Sequence, residues 1–207
     1  MPSARVQQLS DQLVAKWTSP QGVELMAAGA VLVGGLLAYG PLSLQEAGGL
    51  LDWPADEVLD RFHAMEFDLE TDDRGRVIGA GVSLDDRRPH SVQLKGQLVH
   101  GWCAMDVLMF PVVLKEPAST VTSRCATTGE PITLTVTPDG VLDLSPSTAA
   151  VTLAPATGAD IREVFCDRVN FYATAHLAEA AVERDNDLAA CSVDEAWALV
   201  KRLADLF

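Results

Sequence analysis

The chain has 207 residues, 48% of them hydrophobic and 21% charged, which is enough apolar material to bury a core without disulfides and too much for wholesale disorder. Its formal net charge of −14 repels phosphate backbones, and no Lys/Arg cluster is longer than the pair Arg87–Arg88, so nucleic-acid binding is not expected as the main activity. The four cysteines, Cys103, Cys125, Cys166 and Cys191, are widely spaced with no C-x-x-C pair, and read as reduced thiols of a cytoplasmic protein rather than as a zinc finger or disulfide framework.

The N-terminus, "MPSARVQQLSDQLVAKW", is polar and helix-like and lacks the charged-then-apolar pattern of a signal peptide. From Leu25 to Leu44 no residue is charged, and the length approaches a membrane span. Gly29, Gly34, Gly35, Gly40 and Pro41 interrupt it, and its compact apolar part ends near Tyr39. A buried core helix is therefore expected, with a membrane contact or an oligomer patch as the alternatives. Ser43 followed by Glu46 fits a capping box, and Asp52 ahead of Pro54 fits a second helix start, "DWPADEVLDRFHAM", with Val58, Leu59, Phe62 and Met65 on one face. Three or four short helices thus precede residue 66. "FDLETDDRGRVIGAGVSL" then reads as a hairpin, and helices followed by a hairpin is the order of a winged-helix module, here residues 1–84.

Residues 85–207 read as a second domain. "SVQL" is strand-like and reaches a turn at Lys95-Gly96; an apolar helix is expected to run through Trp102 to Phe110 and to stop at Pro111. Residues 118–154 alternate in the β manner, with turn signals at Thr128-Gly129-Glu130-Pro131 and Pro138-Asp139-Gly140. "GADIREVF" leads into Cys166, and Ser192 with Glu195 caps a last helix, "VDEAWALVKRLADLF". The fold class that follows is α+β: a winged-helix-like helical module, then antiparallel sheets flanked by helices.

The chemistry concentrates in "GWCAMDVLMFP". On a helix, Cys103 and Asp106 share a face, about 5–6 Å apart at Cβ, close enough to pass a proton. Cys103 would also sit in the first turn, where the helix dipole favours a thiolate. A second cysteine folding back would complete a site for a soft, thiophilic ion, with Asp106 better suited to carry protons than to act as a ligand. Against this stands the plain alternative that a lone cysteine on an apolar helix is a small buried hydrophobe. Residue types and spacing leave the two readings about even. A zinc or copper site using His100, Cys103 and Asp106 would need a fourth ligand from afar, and a Cys–His dyad with His100 or His176 carries no local signature.

The segments "WCAMDVLMFP", "SRCATTGEPITLTV" and "REVFCDRVNFYAT", preceded by "LLDWPADEV" and "GRVIGAGVSL", resemble in order and spacing the organomercurial lyase (alkylmercury lyase) family, from about residue 43 to residue 200. The resemblance implies that residues 85–207 form the catalytic domain and that Cys103, Asp106 and Cys166 are the catalytic trio. Cys103 and Cys166, with Asp106 beside them, would hold mercury as substrate and product, and Cys125 would be structural. It further implies protonolysis of a carbon–mercury bond without a resident cofactor, turnover dependent on external thiols, and release of Hg(II) to small thiols or a mercuric reductase. The partners expected are an organomercury substrate and such an acceptor, with no nucleic acid and no membrane, in a monomer or homodimer. Trp102, next to the thiol, is a candidate wall of the substrate pocket or simply core. Two positions depart from the family pattern: Asp167 stands where some members have a second cysteine, and Cys191 has no counterpart. The rival classes are a non-catalytic mercury or copper trap or sensor, and a transcription regulator. The regulator is disfavoured by the acidic "DWPADEVLDRFHAM", where a basic recognition helix would be needed.

Overall fold

A computed structural model describes residues 3–157 and 160–205; Met1, Pro2, Gly158, Ala159, Leu206 and Phe207, at the edges of three segments read above as helical, lie outside the described residues. Ser3 opens α1 (Ala4–Trp17) by accepting the Val6 N–H, and Ser19 opens α2 (Pro20–Tyr39) by accepting that of Gly22, with Pro20 in the first turn where no N–H is needed. These helices are 14 and 20 residues long, not the short ones expected. α2 buries Leu25, Ala28, Leu32, Val33, Leu36 and Leu37 as a core helix does, but presents Val23, Val31 and Tyr39 outward. The Ser43/Glu46 capping box opens α3 (Leu44–Leu51) as expected. Asp52 differs: it closes α3 in the left-handed region (φ 56°), and the chain re-enters through a 3-10 turn, Ala55–Glu57, into α4 (Val58–Ala64). An aspartate tolerates that conformation better than most residues, so one residue that reads as a start serves as a stop.

The strands that follow are β1 (Glu70–Thr71), β2 (Val77–Ala80), β3 (Val82–Ser83), β4 (His90–Leu94), β5 (Gln97–Gly101), β6 (Ser119–Arg124), β7 (Pro131–Thr137) and β8 (Gly140–Ser145). They form one antiparallel sheet in the order β1-β2-β3-β5-β4-β6-β7-β8. Period-two burial sets its inner face: Val121 on β6, and Ile132, Leu134 and Val136 on β7, point into the core. Lys95 and Gly96, both at positive φ, make the two-residue turn between β4 and β5. The expected helix through Trp102 is corrected here. Residues 97–101 pair with β4 and β3, and α5 (Ala104–Val113) begins only after the chain leaves the sheet. Nor does Pro111 end it. The ring removes one N–H, and burial of Pro111 together with the packing of Val112 on the core carries the helix on to Val113.

A second, three-stranded antiparallel sheet places β9 (Ala150–Leu153) between β10 (Phe171–Tyr172) and β11 (Ala189–Ser192). The helices α6 (Ile161–Val164), α7 (Ala175–Arg184) and α8 (Val193–Ala204) complete the chain, and α8 packs along α5. The α+β class with a helical N-terminal part and antiparallel sheets flanked by helices is borne out. β1 to β3, from the first 84 residues, hydrogen-bond into the same sheet as β5, through Val82 to Gly101 and Ser83 to His100.

Candidate active site

The site begins where β5 hands over to α5. Trp102 N–H donates to the Gly81 carbonyl at 2.8 Å and Ala104 N–H to the Val169 carbonyl at 3.0 Å, so the backbone on either side of Cys103 is fixed from separate parts of the chain. Cys103 takes the N-cap position of α5, and Asp106, three residues on, reaches back to accept the Cys103 N–H at 2.8 Å. A spacing that reads as one face of a helix is thus a cap, and it locks the carboxylate beside the thiol.

Cys166 arrives from the opposite side, on a 3-10 turn (Cys166–Arg168) that follows α6. Thr152 of β9 donates to the Arg168 carbonyl at 2.9 Å and accepts the Asn170 N–H at 3.1 Å, while the Arg168 guanidinium pairs with Asp185 at 2.7 Å. The start of α6 is tied to the segment before β1: Asp160 accepts the Asp68 N–H, and Arg162 donates to the Asp68 carbonyl. So held, Cys103, Asp106 and Cys166 bring one sulfur, one oxygen and one sulfur within 4.8 Å of one another, all buried. No other such cluster occurs among the described residues.

Burial decides the protonation of all three. It pushes the Cys103 thiol well above its ordinary value, reinforced by the hydrogen bond with Cys166 and the charge of Asp106. The hydrogen bond from Cys103 pulls Cys166 down, but burial and the carboxylates Asp106, Asp167 and Asp160 outweigh it, and the net shift is upward. Burial raises Asp106 from 3.8 to about 7, against the lowering by hydrogen bonds from Cys103 and by the Arg88 charge. Both thiols therefore hold their protons at neutral pH, and the carboxyl is poised between its two forms.

Beside the trio lies a cavity of about 60 Å³ walled by Asp106, Cys166, Trp102, Phe67, Met105, Phe110 and Phe165, and by Leu25, Met26 and Gly29 of α2. Trp102 is buried, and its indole N–H donates to Glu70 at 2.9 Å. Its ring stacks on Phe67 with centroids 5.0 Å apart, and Arg162 lies 4.7 Å from its centroid. Packing and pocket wall are one arrangement here. Arg88 stands 4.0 Å from both Glu70 and Asp167, linking the first hairpin to the Cys166 turn. Gly81, at φ +85°, leaves no room for a side chain before the Phe110 ring, where a Cβ would come within 2.9 Å. Glu70, Arg88, Arg162 and Gly81 go unnoticed in the sequence, since each acts across a long separation and carries no local motif.

The other sequence candidates lie outside the cluster. Cys125 is buried at the end of β6; burial raises its thiol, but the Thr128 hydroxyl and the N–H groups of Ala173, Thr128 and Thr127 outweigh that and lower it. Cys191 sits on β11 with its thiol 3.6 Å from the Val151 carbonyl, and burial pushes it up to about 12. His100 is on β5, not on a helix with Cys103, and its buried Nδ1 has no hydrogen-bond partner among the described residues. His176 is exposed on α7.

Fold and site together define an α+β protein with a buried pair of protonated thiols and a proton-sharing carboxyl at the edge of an apolar cavity. The family model described as alkylmercury lyase matches residues 85–205. The chain is 37% identical over 172 residues to an alkylmercury lyase of Streptomyces lividans, covering 82% of this chain and 79% of that one. It is 36% identical over 160 residues to one of Pseudomonas putida, covering 77% and 74%. Its fold is similar to the crystal structure of the mercury-bound form of MerB2, with a TM-score of 0.74 at 16% identity over 98% of this chain and 100% of that one. The chain belongs to the alkylmercury lyase family. The family expected from the sequence, and with it the enzyme class, is borne out.

Proposed function

We propose that the protein cleaves the carbon–mercury bond of organomercury compounds by protonolysis, with Cys103, Asp106 and Cys166 as the reacting groups. The observation that carries this reading is the convergence of two thiols and one carboxyl within 4.8 Å in a buried, apolar setting. Mercury is a soft cation that displaces thiol protons, so an organomercury cation exchanges for the proton of one thiol and forms a sulfur–mercury bond. Coordination by the second sulfur displaces another proton, and Asp106, raised to about 7, is basic enough to take it and acidic enough to give it up. The carbon–mercury bond then breaks with its electron pair on carbon, carbon receives the Asp106 proton, and Hg(II) remains on two thiolates. Per turnover, one organomercury cation and two thiols give one hydrocarbon, one bis-thiolate mercury complex and one proton in solution. External thiols, free or on a reductase, would carry Hg(II) off by ligand exchange, which suits a reducing compartment such as the cytoplasm.

The test is incubation of the protein with phenylmercury and excess thiol, following benzene and Hg(II). The native protein is expected to release benzene. Cys103→Ser and Cys166→Ser are expected to release none. Asp106→Asn should keep stoichiometric Hg(II) binding and lose on the order of 100-fold or more in turnover, the usual worth of a positioned proton donor. Tight binding of Hg(II) with no benzene from the native protein would mean that the site traps metal without breaking bonds.

A further inference from the structure

The lyase reading leaves open where the organic group sits while mercury is held by sulfur. We propose that it occupies the cavity between α2 and α5, and that Gly29 of α2 sets the size of group accepted, so that short alkyl groups fit the site as it stands. This rests on the lyase reading and adds to it a substrate class and a specificity-determining residue.

Cys166 and Asp106 form part of the cavity wall, so a group bonded to mercury at Cys166, and awaiting a proton from Asp106, has this space open to it. The rest of the wall is almost wholly apolar, which suits a hydrocarbon and excludes competing water. Gly29 is buried, yet a Cβ built on it meets no atom within 4 Å. Elsewhere on the same helix, at the equally buried Gly35, a Cβ would strike Leu50 at 2.5 Å. A buried residue with nothing in front of it faces empty space, and the space that Gly29 lines is this cavity. Glycine in a helix interior is less favourable than alanine, so an open position filled by glycine has a cost that close packing does not explain.

At about 60 Å³ the cavity is well below the ~150 Å³ of an engineered apolar cavity that takes benzene. Groups of methyl or ethyl size enter it directly. An aryl ring enters when the unbranched thioether side chains of Met26, Met105 and Met109 yield, as methionine does more readily than branched residues. Bulk added at Gly29 removes that room from the α2 side.

The experiment compares native protein, Gly29→Ala, Gly29→Leu and the control Gly34→Ala on methylmercury, ethylmercury and phenylmercury with excess thiol. Methane, ethane and benzene are measured by headspace gas chromatography, alongside melting temperature and Hg(II) stoichiometry. Gly34 lies on the same helix, is not part of the cavity wall and has equally open space before it. Native protein is expected to show a lower KM for ethylmercury than for phenylmercury, against the order that hydrophobicity alone would set; the reverse order overturns the short-alkyl assignment. Gly29→Leu is expected to lower kcat/KM for phenylmercury at least tenfold more than for methylmercury, with Gly29→Ala intermediate and Gly34→Ala leaving the ratio as in the native protein. An unchanged ratio in a folded Gly29→Leu overturns the role of Gly29. If that variant does not fold, an unchanged ratio in Gly29→Ala overturns it instead. Hydrocarbon from none of the three compounds, with Hg(II) still bound by the native protein, overturns the lyase reading itself.

Discussion

Gly81, packed where α5 carries Phe110 and Asp106, has no easy substitute. The Asp106 carboxylate is fixed by the Cys103 N–H, and one of its oxygens would lie 3.4 Å from a Cβ at Gly81. Gly81 meets two demands at once, a φ of +85° and the close approach of Phe110, so alanine there is strained by its backbone and by its side chain. Gly81→Ala is expected to cost about 1–3 kcal/mol, the usual range for such backbone strain. It should also lower turnover, because Phe110, which must give way, lies on α5 one turn from Asp106 and walls the cavity. Urea unfolding alongside benzene release checks both, and a variant with native stability and activity would mean that the site does not depend on the close approach of Gly81 to Phe110. Thiol identity matters on the same scale. Cys191, on β11 and outside the cluster, should be replaceable by alanine with benzene release retained, whereas Cys103 and Cys166 should not.

At the scale of elements, what is legible in the sequence is what is local. The Ser43/Glu46 and Ser192/Glu195 capping boxes and the Lys95-Gly96 turn each depend on residues a few positions apart, and each forms as read. The boundary between β5 and α5 is not local. Cys103 is not one of the usual N-cap residues, so nothing local marks where the helix begins, and only the register with β4 and β3 makes Gln97–Gly101 a strand. The site divides along the same line: Cys103 and Asp106 are paired by spacing, but Cys166 is brought to them by Thr152, Asp185 and the Asp68 backbone, which only a family resemblance could stand in for. The α2 wall of the cavity has no sequence signal at all, because Gly29 is distinguished only by what does not pack against it. The local device at α8 offers a clean test. Ser192→Ala removes the cap that accepts the Glu195 N–H, and is expected to cost about 1 kcal/mol. Because α8 packs along α5, the melting temperature should fall while kcat stays native; a matching loss of kcat would show that α8 also tunes the site.

For the whole molecule, the two buried groups with the largest opposing effects on acid stability sit in different parts of the fold. His90 of β4 hydrogen-bonds Ser123 of β6 and meets Phe171 of β10 edge-on, at the junction of the two sheets. Burial lowers it from 6.5 to about 4, so it is neutral in the native state while the unfolded chain takes up a proton below 6.5. Its stabilising contribution is present above 6.5 and is lost between 6.5 and about 4, amounting to about 3 kcal/mol. Asp106 acts in the opposite sense. Raised from 3.8 to about 7, it holds a proton in the native state that the unfolded chain has released, so acidification from 7 to 4 adds about 4 kcal/mol of stability. Over the shared window the two oppose each other, so acidification costs the native protein less stability than His90 alone would take. Asp106→Asn removes one side of the balance, keeping an oxygen for the Cys103 N–H but no proton to bind. Stability measured by urea unfolding should therefore fall more steeply across the window in this variant than in the native protein, by about 3 kcal/mol. A variant with the same pH dependence as the native protein would mean that burial does not raise the proton affinity of Asp106, and that the site is not balanced against His90 at the junction of the sheets.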